Sequence, residues 1–475
     1  MLPALFCKNP QIILKKGLTK AKIFAAQLIE KIHFQGGCEM NNYPNIIKER
    51  LSSIINKMSC QPELYVKNPG VDFIRTRKLP FETMVHLLIS MGGNSIYKEL
   101  LESQGYDVNT ATTSAFVQQR DKILPGGFEF LLREFTNTYP DTKKYQGYRL
   151  LAVDGSSLNI ATNPDDPETF FKTHENAKGY NLLHMNAMYD LLSRLYIDAL
   201  IQPSRHENEL KALTDMVGRS CINDKAIIIA DRAYESYNVF AHIEKKGWNY
   251  LIRVKDGAGG IISGLHPPDT EEFDFFVRRL LTRKQTNEVK DNPDVYRFLP
   301  KHSHFDFLDL NANRFYPIAF RIVRFKVTEH SYQTVITNLD SSDFPPDELK
   351  KLYKMRWGIE TSFRELKYAV GLANFHAKKR GYIAQEVFAR IIMYNFAEMI
   401  TSHVVISQAH TKLTYQVNFT IAILVCRHFL RSSSNAPPSD VEAIIRKNVL
   451  PIRPGRFDIR KIQCKTAVSF LYRVA

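Results

Sequence analysis

The stretch from Thr334 to Lys367, TVITNLDSSDFPPDELKKLYKMRWGIETSFRELK, changes character halfway. It opens in a strand pattern, Tyr332 to Asn338, and breaks at Pro345-Pro346. From Asp347 to about Val370 it continues with helical spacing. On that helix Tyr353, Arg356, Glu360 and Lys367 fall, at about 100° per residue, within a sector of roughly 60°, with Arg364 at its border. One face thus presents a phenol, one or two guanidiniums, a carboxylate and an ammonium. A plain core helix would carry apolar residues there. A solvated face would account for the charges, and i to i+4 pairing for Arg356 with Glu360. Neither accounts for what precedes the helix.

Upstream, from Tyr148, strand patterns dominate. Arg149 to Val153 reads as a strand ending at Asp154-Gly155-Ser156. Asn181 to Asp190 and Arg194 to Gln202 read as two strands joined by a tight turn. A helical stretch, Glu207 to Val217, leads to the short apolar strand Lys225 to Ala230, which ends at Asp231. A second helix, Tyr237 to Lys246, leads to the strand Asn249 to Val254. Three strands, then helix, strand, helix, strand: this order fits an antiparallel meander feeding parallel strands, as in a ribonuclease-H-like core. Asp154 and Asp231 each follow a strand, and open α/β sheets collect their sites at strand ends. Taken singly, such an aspartate is also an ordinary turn former or helix cap. Two converging there repel each other unless a cation sits between them, and hard divalent cations want oxygen ligands of this kind. Glu360 would be a third ligand, with Arg356, Arg364 and Lys367 available to phosphates.

The rest of the chain divides around this core. Residues 42–146 read as helical, over Phe81 to Ile89, Ser95 to Leu101, Ser114 to Ile123 and Gly127 to Phe135. Thr113 or Ser114 is a candidate N-cap for the helix carrying Gln118, Gln119, Arg120 and Lys122, whose polar side chains suit either a duplex groove or a solvated bundle face. The core is read as 147–255, interrupted by a β-rich insertion at 256–345, and resumed at 346–382 by the helix with Glu360. Residues 383–475 read as helices, Ala384 to Ser407 and Asn418 to Arg431, followed by a basic tail. Residues 1–41 look unlike the rest and read as an extension, with Met40 a candidate start.

The chain has 475 residues, with 64 Lys and Arg against 49 acids, a net charge of +15 and a pI near 9.3. With 44% hydrophobic and 24% charged residues it is an ordinary globular composition, not a disordered, collagenous or disulfide-rich one. The excess has addresses. The last 45 residues hold nine basic against three acidic residues, and Lys351 to Arg380 holds eight against two. A basic surface of this size points to nucleic acid or an anionic membrane. No run of 18 apolar residues occurs, since Val387 to Ile406 is broken by Arg390, Glu398 and His403. Six cysteines without a CxxC pair give no support for zinc or thioredoxin chemistry and suit a reducing cytosol.

Three stretches together, LLAVDGSSLNI around Asp154, IIIADRAYESYN around Asp231 and the opening quotation around Glu360, resemble the DDE transposases of bacterial insertion sequences. The resemblance is to the family with the Tyr-Arg-Glu-Lys signature, the insertion sequence four family, and extends from about Val71 to the PIRPGRFDIRK near the C-terminus. It implies a ribonuclease-H-like catalytic core with Asp154, Asp231 and Glu360 as catalytic residues and metal ligands. Two Mg2+ ions, replaceable by Mn2+, would serve as cofactors. The activity implied is cutting at element ends and joining the freed 3′-hydroxyl to target DNA, with a possible hairpin at the ends. Tyr353, Arg356, Arg364 and Lys367 would grip DNA phosphates. Trp357 would stack on an unpaired base or pack in the core, and Trp248 would pack in the core. Arg120 would contact DNA from the N-terminal helical domain. The implied partners are double-stranded DNA, as terminal inverted repeats and target, and a second copy in a synaptic dimer. The implied location is the bacterial cytoplasm, at the nucleoid. A catalytically inactive DNA-binding derivative, and a ribonuclease-H-like nuclease without strand transfer, remain as other readings of the same residues.

Overall fold

A computed structural model of the chain describes residues 43–75, 77–257, 259–406, 414–432 and 440–452. The expected extension at 1–41 with Met40, and the basic residues Arg453, Arg456, Arg460, Lys461, Lys465 and Arg473, lie outside the described residues. The chain forms two units, 1–46 and 47–475. Of the first, only the opening turn of a helix is described.

Helices come first: α1 (Tyr43–Cys60), α2 (Phe81–Ser90), α3 (Ile96–Ser103), α4 (Thr113–Asp121) and α5 (Pro125–Asn137). The N-cap of α4 is Thr112, one residue earlier than expected, and its hydroxyl accepts a hydrogen bond from the Ala115 amide at 3.2 Å. Strands follow: β1 (Arg149–Ile160), β2 (Phe170–Phe171), β3 (Tyr180–Asp190) and β4 (Leu195–Pro203). Two crossovers come next, α6 (Glu209–Arg219) to β5 (Ala226–Ala230) and α7 (Tyr237–Lys245) to β6 (Asn249–Arg253). The segment after them supplies β7 (Phe273–Thr282), the short α8 (Asn287–Asp291), β8 (Tyr296–Phe298), β9 (Tyr316–Thr328) and β10 (Ser331–Thr337). The chain then runs through α9 (Pro346–Met355), α10 (Trp357–Tyr368) and α11 (Arg380–Thr401). It continues through β11 (Tyr415–Val417), α12 (Phe419–Arg431), α13 (Val441–Lys447) and β12 (Val449–Pro451).

The result is a mixed α/β architecture around one large sheet, with β4 beside β3 and the rest ordered β2-β3-β1-β5-β6-β10-β9-β7-β8. At its centre β1, β5 and β6 are parallel. The sequence reason is plain in β5: Ala-Ile-Ile-Ile-Ala is buried at every position, the pattern of a strand covered on both faces. One expectation needs correcting here. β1 does not stop at Val153; it continues to Ile160, because β3 offers an antiparallel partner from Leu151 to Ile160. What ends at Val153 is the pairing with β5, so Asp154 marks the end of a parallel ladder inside a longer strand. The β-rich segment at 256–345 joins the same sheet. Its β10 pairs antiparallel with β6, and β9 and β7 extend the same sheet outward.

The expected single helix at 347–370 is two. Arg356 is a turn residue between α9 and α10, where the Arg356 amide bonds back to the Tyr353 carbonyl at 3.1 Å, an i to i−3 step. The 22-residue α11 is buried along most of its length. It packs against α2, α5 and α12, so the helices before and after the sheet form one helical body. No described helix is long and apolar enough to cross a membrane.

Candidate active site

In the parallel ladder, Val153 of β1 is opposite Ala230 of β5. Registered residues on neighbouring strands face the same way, so the next residue of each, Asp154 and Asp231, turns to the same side of the sheet. The Asp154 Oδ1 accepts from the Gly155 amide at 2.8 Å. The Asp231 Oδ1 accepts from the Ala233 amide at 2.8 Å, capping the short turn Arg232–Tyr234. Asp231 is therefore the cap of a short helical turn.

Glu360, in the first turn of α10, completes the group through Arg356. The Arg356 Nη2 donates to Glu360 Oε1 at 2.9 Å, and Nη1 lies 3.5 Å from Asp154 Oδ2. The guanidinium is 8% exposed, and its Nε has no hydrogen-bond partner. Burial disfavours its charge, but Tyr353, Glu360 and Asp154 more than offset this and hold it protonated. Asp154 feels the crowding: burial pushes its carboxyl up to about 6. The Gly155 amide and Arg356 pull the other way, and the negative charges of Asp231 and Glu360 add to the rise. Three carboxylates thus share one neighbourhood, with a guanidinium between two of them standing where a cation would be welcome.

That donor set suits a hard divalent cation, being oxygen only. Among the described residues, however, no three acidic, histidine or cysteine side chains are drawn together tightly enough to hold a metal as they stand.

The rest of the polar stripe splits. The Lys367 Nζ donates to Ser156 Oγ at 2.7 Å and to the Ser157 carbonyl at 3.0 Å, stitching α10 to β1 just beyond Asp154. Arg364 is exposed. Tyr353 is only 5% exposed and packs in the core with Leu349, Leu352 and Phe344. It backs the Arg356 guanidinium, whose carbon lies 5.9 Å from its ring. Trp357 is 61% exposed with the same guanidinium 5.6 Å from its ring, so it is not a core residue. Trp248 is buried, as expected. A groove of about 770 Å³ opens beside Asp231, lined among others by Arg232, Lys255 and Arg297.

Arg120 does not join the site, and the expectation of a DNA contact is corrected. It is 2% exposed, with Nη1 2.8 Å from Glu386 Oε1 and Nε donating to Gln385 Oε1 at 2.8 Å. Its guanidinium is consumed by α11 and has no surface to offer.

Two further buried or half-buried residues escaped the sequence reading: Glu209, the first residue of α6, which bonds to His184 against the backbone of Gly155, and Tyr234, three residues after Asp231. The available signal was positional. The crossover helix after β4 begins at Asn208-Glu209, which puts a carboxylate against β1 at Gly155.

A family model described as "Transposase DDE domain" matches residues 145–396. The chain is 22% identical over 401 residues, 79% of its length and 82% of the relative's, to "Transposase InsG for insertion sequence element IS4" of Escherichia coli (strain K12). Among solved structures it is similar to the piggyBac transposase synaptic complex with hairpin DNA, at 12% identity over 89% of each chain, with a TM-score of 0.42. Because the matched span takes in more than half of the sequence, the chain belongs to the transposases with a DDE domain, enzymes that act on DNA.

Proposed function

We propose that the protein cuts DNA at the ends of an insertion sequence and joins the freed 3′-hydroxyl to target DNA, with Asp154, Asp231 and Glu360 as the catalytic carboxylates of a ribonuclease-H-like core. The observation that carries this reading is one buried guanidinium, Arg356, bridging Asp154 of β1 and Glu360 of α10, with Asp231 turned to the same side at the end of the neighbouring β5. The order β4-β3-β1-β5-β6, with the last three parallel, supports the ribonuclease-H-like assignment.

Asp154, Asp231 and Glu360 would hold two Mg2+ ions, or Mn2+ in their place. When bound, these supply Lewis acidity to the scissile phosphate and its attacking oxygen. The chain's own groups do the rest. Arg356 is the counterion of the carboxylates, and its planar fork suits a phosphate equally well, so substrate can take it over by bidentate hydrogen bonding. Tyr353, packed beneath it, fixes its direction. Lys367 holds β1 and α10 at one separation, and its charge lies beside the entering backbone. Arg364 and Trp357, both exposed, would meet a phosphate and an unstacked base respectively. The groove beside Asp231, where Arg232, Lys255 and Arg297 stand with Glu235, would place three basic side chains near the DNA backbone.

By this reading residues 42–146 contribute to recognition of the terminal repeats, 147–255 and 346–382 form the core, 256–345 its β-rich extension, and 383–475 a basic C-terminal region. Two copies would pair the element ends in a synaptic complex, in the cytoplasm of a bacterium at its nucleoid. A hairpin step at the ends belongs to the same proposal.

The test uses oligonucleotides carrying the inverted repeats that flank the gene, with Mg2+. Glu360→Gln is expected to lower both cleavage and strand joining roughly a thousandfold or more while end binding persists. Undiminished cleavage by that variant would remove Glu360 from the catalytic set. Cleavage without any joined product in the unaltered protein would point to a nuclease instead.

A further inference from the structure

Away from the carboxylates of the sheet, four arginines gather where α11 and α12 meet the helices that precede the sheet. Arg120 of α4 and Arg390 of α11 are buried, and Arg427 and Arg431 stand on α12. Three carboxylates are shared among them. Glu386 is taken by Arg120 at 2.8 Å. Glu99 and Glu102 of α3 are both taken by Arg431, at 2.5 and 2.9 Å. Arg390 donates to the carbonyls of Met91 and Gly92. Arg427 is left over. Its Nη2 donates to the Val370 carbonyl, and its buried Nε has no hydrogen-bond partner. Among the described residues it forms no ion pair, so the cluster holds one guanidinium more than it holds carboxylates.

This surplus lies at a cavity of about 780 Å³, lined among others by Gly92, Asn94, Glu99, Arg427, His428 and Arg431. None of Asp154, Asp231 and Glu360 lines it. The turn between α2 and α3 comes close: a Cβ on Gly92 would stand 3.0 Å from Glu99 Oε1 and 3.3 Å from Arg427 Nη1. Glu99 is already committed, since it also accepts from the Asn94 amide at 3.0 Å. Burial, then the charge of Arg390, bring the Arg427 guanidinium down to about 9; Glu99 opposes them, and Arg431 adds to the fall. A cation withdrawn from water without a counterion is costly, and an anion entering the cavity relieves that cost. The planar guanidinium fork fits a phosphate oxyanion through paired hydrogen bonds.

We propose that the cavity between the α2–α3 turn and α12 is a phosphate site, with Arg427 as its binding residue and Arg431 neutralising the two glutamates beside it. The phosphate comes from the DNA backbone or from free phosphate. The DNA source rests on the reading that the protein binds element ends.

The experiment compares the full-length protein with Arg427→Leu and Arg427→Lys in two arms. In the first, thermal unfolding is followed in sodium phosphate and in sodium chloride at equal ionic strength. Phosphate is expected to raise the unfolding temperature of the parent by about 2–4 °C more than that of Arg427→Leu. Without phosphate, Arg427→Leu is expected to unfold within about 4 °C of the parent, because the charge it loses has no counterion. In the second arm, a duplex carrying the element end and an unrelated duplex of equal length are titrated by fluorescence anisotropy across a chloride series. Arg427→Leu is expected to weaken binding to both duplexes several-fold and to reduce the slope of log affinity against log salt by about one. Arg427→Lys keeps the charge but not the fork, so it is expected to keep the slope and lose part of the affinity. A loss in the DNA arm makes the DNA backbone the source. A loss in the phosphate arm alone makes free phosphate the source. Arg427→Leu that matches the parent in phosphate shift, DNA affinity and salt slope overturns the site. Arg427→Leu that unfolds far earlier without phosphate also overturns it, since the guanidinium would then serve the fold through Val370. A parent that binds no end DNA, yet shows the Arg427-dependent phosphate shift, overturns the end-binding reading and leaves the phosphate site standing.

Discussion

Arg120 and Arg356 are both buried arginines facing a glutamate on a helix, and they have opposite characters. Arg120 spends its guanidinium on Glu386, Gln385 and the Tyr382 carbonyl, and Glu386 accepts a further bond from the His376 amide at 2.9 Å. Burial alone would raise the Glu386 carboxyl, but Arg120, His376 and Arg390 draw it far below the ordinary carboxylate range. Arg356 is shared between Glu360 at 2.9 Å and Asp154 at 3.5 Å and leaves its Nε unbonded. Beside it, Asp154 is pushed up to about 6, chiefly by burial. The first arrangement is closed and completes a fold. The second is open and leaves charge to be satisfied by something that arrives. Equal burial and equal residue type do not distinguish the two; completeness of hydrogen bonding does.

Removing a partner from the closed site should have the largest effect on stability. Arg120→Ala leaves Glu386 with less compensation and is expected to cost about 3–5 kcal/mol, read as a lower denaturant midpoint. Any loss of DNA cleavage should then follow the unfolded fraction. An Arg120→Ala protein that is as stable as the parent yet loses end binding would return Arg120 to the DNA surface.

At the open site the sign reverses. Asp154 has a folded-state pKa near 6 against an ordinary 3.8, so between those values the native state binds the extra proton. Its contribution to stability is therefore present at low pH and is lost as the pH rises through about 6. A rise of two units corresponds to about 3 kcal/mol. In a chelator at pH 7, Asp154→Asn should be more stable than the parent by up to that amount, and the difference should vanish near pH 4. His86 has the opposite slope. Burial, and then the charge of Lys48, lower it from 6.5 to about 4, so it must take up a proton on unfolding in acid, and stability falls as the pH drops from 6.5 to 4. The two partly cancel in the parent. Asp154→Asn should expose the acid sensitivity of His86 as a steeper fall in melting temperature between pH 6.5 and 4. A parallel pair of curves would show that Asp154 is not strained by its neighbours.

The smallest effect on stability belongs to Trp357, beside Arg356 but 61% exposed. Trp357→Ala is expected to leave unfolding within about 0.5 kcal/mol of the parent. It should weaken binding to frayed or flipped element ends by about 1–3 kcal/mol, measured by fluorescence anisotropy. A destabilised variant with intact binding would make Trp357 a packing residue.

The comparison also separates what the sequence could disclose from what it could not. The stripe on α9 and α10 was legible because helical period alone brings Arg356 to Glu360, four residues away. Asp154 and Asp231 were legible because a short apolar run leads into each. Arg120 was misread because its partner Glu386 lies 266 residues along the chain, and only the packing of α4 on α11 brings them together. The reach of β1 to Ile160 was missed because strand length there is set by β3, not by local pattern. Glu209 and Tyr234 were missed for the same kind of reason: one heads a crossover helix, the other follows a strand, and the sheet order makes them neighbours.

The unbroken sheet from β2 to β8 also bears on how such a protein can change over evolutionary time. If residues 256–345 were a detachable module, descendants could shed them and retain an intact core. Here their loss would strip β10 from β6 and leave Leu251 to Arg253 with open backbone groups on a bare apolar edge, an invitation to pair with another chain. Deletions in this segment should therefore persist only where a new strand or helix has covered that edge. Length variation should instead concentrate at the outer margin, around β7 and β8, where trimming exposes no part of the parallel centre.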